Sequence, residues 1–107
     1  MVERDDYLRQ LLDAYRTTPG TTGLVRRCDR LLAEQLYERA VPLLVVQNAL
    51  VLAAARRLMR PEGAPSLPTI RSLAYFLPVI EEVIRLDVPT EYYEHLRFSL
   101  QRRLANS

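Results

Sequence analysis

Pro42-Leu-Leu-Val-Val-Gln-Asn-Ala-Leu-Val-Leu-Ala-Ala-Ala-Arg-Arg-Leu-Met59 is the stretch that decides the architecture of this chain. It opens on a proline, which the first turn of a helix tolerates best, and then runs apolar on nearly every side. A helix with so little polar surface is expected to be central and covered by neighbours on several sides. Gln47 and Asn48 interrupt it, so each needs an opening or a hydrogen-bond partner. The apolar core of the run, residues 41–55, is shorter than the roughly 20 residues that cross a bilayer, so the segment reads as buried in protein.

The flanks carry helix spacing too. Leu8, Leu11, Leu12 and Tyr15 place a first helix over about residues 3–16, with Asp5 and Asp6 at its positive end. Thr17-Thr-Pro-Gly-Thr-Thr-Gly23 ends it, and Thr21 or Thr22 can cap the next helix, over about residues 23–39. There Leu24, Cys28, Leu31, Leu32 and Gln35/Leu36 follow one stripe, which is expected to face the core, while Arg30 and Glu34 can pair on the surface. The proline-rich segment 60–68 ends the central helix. Ile70, Leu73, Leu77, Ile80 and Ile84 then hold a single helical phase through Pro78, which predicts one kinked helix. After Asp87-Val88, Pro89 starts a last helix over about residues 89–105, with Tyr93, Leu96, Leu100 and Leu104 inward. The expected fold class is all-α: a compact five-helix array with short loops, residues 1–107 forming one domain.

All fifteen basic side chains are arginine, thirteen acidic residues oppose them, and the formal net charge is +2. The arginines cluster at Arg26/Arg27/Arg30, at Arg56/Arg57/Arg60 and at Arg102/Arg103. Arginine holds planar anions through a rigid fork of donors, so a DNA or RNA backbone is the first partner to consider. Arg26, Arg27, Arg30, Arg56, Arg57, Arg60 and Arg71 are the candidate phosphate contacts. Such contacts position a protein on nucleic acid without reading its sequence.

Other chemistries find little. The 18–23 loop lacks the lysine and the spacing of a phosphate-binding loop. His95 is the sole histidine and Cys28 the sole cysteine, which leaves no metal-ligand cluster, and Glu81 and Glu82 diverge by about 100° on a helix. Ser72, Cys28 and His95 show no spacing that would make a nucleophile, base and orienting group. No enzymatic activity, cofactor or metal is therefore expected. Cys28 is expected to be a half-buried thiol in a reducing cytoplasm, since the acidic opening Met1-Val-Glu-Arg-Asp-Asp6 is the wrong charge pattern for a secretion signal.

The segment from Tyr37 through the apolar helix to Ala55, followed after a loop by Ser72-Leu-Ala-Tyr-Phe-Leu-Pro-Val-Ile-Glu-Glu-Val-Ile84, resembles the C-terminal domain of DnaD-type primosomal proteins. Tyr75 stands where that family carries a tyrosine, Val79 replaces its isoleucine and Val83 its tryptophan. The resemblance implies a small helical module of bacterial or phage replication, or of a mobile element, that contacts DNA and replisome proteins. Tyr75 is the one residue it carries over as a DNA contact.

A protein-interaction or homodimerisation domain is the other reading. With Tyr93, Leu96, Leu100 and Leu104 inward, Phe98 points about 160° away, between His95 and Arg102. An exposed aromatic beside arginine is a frequent anchor of protein interfaces, which makes Phe98, His95 and Arg102 the candidate partner face.

Overall fold

The computed structural model describes residues 3–86 and 88–105, which form α1 (Arg4–Arg16), α2 (Arg27–Glu38), α3 (Leu43–Leu58), a 3-10 turn (Leu73–Phe76), α4 (Leu77–Arg85) and α5 (Thr90–Ala105). The fold is all-α with five helices, and no strand forms among the described residues. Asp87 lies outside them.

α3 is the central element, as its composition requires. Eight of its sixteen residues are buried, on more than one side of the helix, and it packs against α1, α4, α5 and the 3-10 turn. Its run of alanines lets neighbouring helices approach closely. Val46 and Leu50 meet a core that includes Leu11, Tyr15, Leu36, Phe76 and Ile80. Asn48 is buried and Gln47 is half-buried, at the rim of a cleft between the end of α1, α3 and α5.

α2 departs from expectation. It begins at Arg27 and turns Asp29, Ala33 and Leu36 inward, a face rotated by about 110° from the predicted stripe; Leu36 belongs to both, and Leu32 of the stripe stays half-buried against the core. Leu24 is 63% exposed and Leu31 47%, and Cys28 is exposed rather than half-buried. The cause is Asp29, only 1% exposed. Its Oδ2 accepts the Arg26 N–H at 2.9 Å and its Oδ1 accepts the Leu73 N–H at 2.9 Å. The first bond is the returning half of a capping box; arginine, having no acceptor, cannot supply the other half. The threonines serve α1 instead of α2. Thr17 and Thr18 hydroxyls donate to Asp13 and Ala14 carbonyls, and Thr21 Oγ1 donates to Thr18 O. Glu34 pairs with Arg4 at 2.8 Å, not with Arg30.

The kinked helix is also corrected. Ile70 pairs in parallel with Thr21, its N–H donating to Gly20 O at 2.7 Å and its carbonyl accepting the Thr22 N–H at 3.1 Å. That pairing holds the backbone extended before the 3-10 turn. Pro78 then falls in the first turn of α4, where its missing N–H costs nothing, so it starts a helix and does not bend one. Ile84 is exposed while Phe76 and Val83 are buried in its place. On α5, Tyr93, Leu96 and Leu100 face inward as expected, but Leu104 near the helix end is largely exposed.

The joint between α2 and α3 has the geometry of a Schellman motif. Val41 N–H donates to Leu36 O at 3.1 Å and Ala40 N–H to Tyr37 O at 2.9 Å, with Ala40 at φ 59°. The Tyr7 hydroxyl clamps the same joint by donating to Val41 O at 2.8 Å. Glycine adopts this backbone without the Cβ clash, so Ala40→Gly is expected to stabilise the protein by about 0.5–1 kcal/mol, read from urea midpoints.

Burial pushes Tyr7 up from the ordinary 10.0 to about 12. The folded chain therefore holds that proton more tightly than the unfolded one. The resulting stabilisation is fully present below pH 10 and is lost as pH rises toward 12. Tyr7→Phe is expected to cost about 0.5–1.5 kcal/mol at neutral pH and to flatten the alkaline fall in urea midpoint. The fall should not vanish, because burial also raises Tyr15 and Tyr93.

Candidate functional site

Four of the predicted contacts come together. Arg56, Arg57 and Arg60 lie at and just beyond the C-terminal end of α3, where cations suit the negative end of the helix dipole. With Tyr75, Leu67, Ala53 and Val79 they line an open cleft of about 310 Å³. Each guanidinium in it already has a task within the chain. Arg56 grips Glu82 of α4 with two parallel bonds, one of 2.8 Å, which lowers the Glu82 carboxyl and raises Arg56. Arg57 donates to Pro68 O at 2.9 Å and to the Tyr75 hydroxyl at 3.2 Å, with its carbon 5.7 Å from the Tyr75 ring centre. Arg60 donates to Pro65 O at 2.7 Å and closes the loop that leaves α3.

Arg57 also explains a glycine. Gly20 sits at φ +93°, and a Cβ there would come within 3.2 Å of Arg57 Nε. The Gly20 carbonyl receives Ile70, so the loops on either side of the α3 end are tied to one another and to this guanidinium.

The other arginines are not part of that cleft. Arg26, Arg27 and Arg30 are exposed around the start of α2, and Arg30 lines a different cleft with Arg9, Arg16, Asp5 and Asp13. None of the three forms a side-chain ion pair among the described residues. Arg71 is exposed on the extended segment beside Ile70. Tyr75 belongs to the 3-10 turn, whereas Val79 and Val83 belong to α4, so the three do not form one continuous helix face. Val83 is buried in the core.

The third group lies on α5. Phe98 is 59% exposed, with His95 and Arg102 exposed beside it and the Arg102 guanidinium carbon 5.9 Å from the ring centre. Tyr92 is 48% exposed on the same helix.

Ser72 and Cys28 share a groove between α2 and the 3-10 turn, but His95 does not line it. Among the described residues, no three His, Cys, Asp or Glu side chains gather as metal ligands, and no helix is long and apolar enough to cross a membrane. Sequence reasoning missed Asp29, the one buried carboxylate among the described residues. Its position three residues after Arg26 was the available signal.

The arginines thus divide into tied and untied sets, and stability separates them. Arg57→Ala is expected to cost about 1–3 kcal/mol, since it removes two charge-assisted bonds and the cover over Gly20. Arg27→Ala should stay within about 0.5 kcal/mol of wild type. Urea unfolding of both variants checks this.

Comparison with family models, curated proteins and solved structures found no match to this chain.

Proposed function

We propose that this chain is a non-enzymatic protein-interaction module and that the outward face of α5 is where it meets its partner. The observation that carries the reading is Phe98. α5 packs on α3 through Tyr93, Leu96 and Leu100, and leaves an aromatic ring on its free side between His95 and Arg102. Single exposed apolar groups are ordinary. Phe98 differs in having Arg102 against it, so a planar cation and a ring form one prepared contact surface. The internal use of Arg56, Arg57 and Arg60 supports the same conclusion, because it accounts for one of the two arginine triplets without a phosphate partner.

The test is affinity capture from the cells that express the protein, using wild-type and Phe98→Ala chains. The wild type should retain a partner in a fixed ratio, and Phe98→Ala should lose it while its stability stays within about 1 kcal/mol. Equal capture by both chains would defeat the reading.

A DNA-associated accessory role, in replication or on a mobile element, is the second reading. It rests on Arg26, Arg27 and Arg30, exposed and untied near the N-terminal end of α2, where backbone N–H groups favour anions. Arg56 and Arg57 are poor probes of it, since reversing them breaks the tie to α4 and the bonds to Pro68 O and Tyr75. Titration of single- and double-stranded DNA at about 50 and 200 mM salt, with Arg26→Glu and Arg27→Glu, decides the matter. Binding that weakens steeply with salt and disappears in the variants would favour this reading. No binding by wild type at low salt would remove it.

A further inference from the structure

Cys28, Leu31 and Gln35, part of the α2 stripe that the sequence marks as core, face solvent, and exposed charges flank them along the helix. We infer that this face is a self-association surface, on which a second copy of the chain docks its own α2 in antiparallel orientation about a two-fold axis. The inference does not depend on the α5 reading and concerns a different helix.

Three features select a second copy as the occupant. The first is charge. At 100° per residue, Arg27, Leu31 and Glu38 share one strip of α2, directed away from the buried Asp29, Ala33 and Leu36. Arg27 and Glu38 are exposed, and neither has an ion-pair partner among the described residues. They lie eleven residues apart, about 16 Å along the helix. In an antiparallel pair centred between them, Arg27 of each copy faces Glu38 of the other, so the strip is complementary to itself. A parallel pair would set like charges together.

The second feature is the apolar centre. Leu31 is 47% exposed and lies one to two residues from that midpoint. The two Leu31 side chains would straddle the two-fold axis, about 4–5 Å apart along the helix direction. The third is shape. Beside Leu31 runs an open groove of about 430 Å³ between α2 and the 3-10 turn, lined by Cys28, Leu32, Ala74 and Leu77. A protruding leucine next to an apolar groove on one surface is the arrangement a two-fold interface uses: each copy offers the knob and receives the other's.

The experiment is sedimentation equilibrium of the full chain over a concentration series up to about 1 mM, the weak end of the affinity scale. Wild type should show a reversible monomer–dimer equilibrium. Leu31→Glu should weaken it by about tenfold or more, with helical circular dichroism and urea midpoint of the monomer unchanged. Arg27→Glu and Glu38→Arg should each weaken the dimer, and the double variant should recover wild-type affinity to within about threefold, because the swap restores both ion pairs. Phe98→Ala should leave the dimer intact, which separates this surface from the α5 face. A wild type that stays monomeric throughout would overturn the inference. So would a dimer that survives Leu31→Glu, a charge swap that fails to rescue, or a dimer lost in Phe98→Ala.

Discussion

A carboxylate in the interior must be met by donors, and in this chain Asp29 is met by two backbone N–H groups, those of Arg26 and Leu73. The rest of α2 follows from that constraint. With Asp29 inward, Ala33 and Leu36 are inward by helix geometry, and the small Ala33 suits a helix packed on α1. Rotating α2 to bury Leu31 would gain apolar burial of about 1.5–3 kcal/mol. It would also leave the Leu73 and Arg26 amides without their acceptor, and it would break the joint that holds the 3-10 turn against α2. The apolar surface on the outside of α2 is a consequence of this internal polar bond.

The arginines show a related economy. A chain without lysine uses guanidinium groups to close its loops: Arg57 on Pro68 O, Arg60 on Pro65 O, Arg56 across to Glu82 and Arg39 across to Glu81. The planar fork suits this work because it can reach a carbonyl and an aromatic hydroxyl at once, as Arg57 does. A compact ammonium on a flexible stem would do it less well. Arginine density in the sequence is therefore a weak guide to phosphate contacts here. The exposed trio at the start of α2 is better placed for them than the internally bonded trio at the end of α3.

Much of the fold was legible in the sequence, for physical reasons that differ by element. α3 was readable because an all-apolar helix has only one place to go. α1 and α5 were readable because their leucines and tyrosines recur at helix spacing, and the exposure of Phe98 followed from that phase. α2 was misread because its apolar residues also recur at helix spacing, and periodicity alone cannot tell a core stripe from a surface one. Only the hydrogen bonds of Asp29, one of them to a residue 44 positions away, distinguish the two. The 68–78 segment was misread for a similar reason. Pro78 is compatible with either a kink or a helix start, and the choice is made by the pairing of Ile70 with the Thr21 loop. Arg56, Arg57, Arg60 and Tyr75 line one cleft, but their internal partners are tertiary and left no mark on local spacing.

What remains unused in this molecule is apolar. The buried polar side chains are largely committed to backbone: Asp29 to two amides, Tyr7 to Val41 O and Thr18 to Ala14 O. The Tyr15 hydroxyl is an exception among the described residues. It is fully buried, has no hydrogen-bond partner, and lies edge-to-face with Phe76 at 6.0 Å between ring centres. Burial holds it above its ordinary ionisation range, so it stays a neutral packing group. Reactive chemistry needs spare polar groups converging on an enclosed space, whereas recognition needs shaped apolar surface with charges around it. The surface that the proposed function and self-association use is of the second kind. It sits on α2 and α5, the helices at the outside of the array, where Leu31 and Phe98 each stand among charged neighbours. Two such faces on one small chain would let it join a copy of itself while holding a different protein, the geometry of an adaptor.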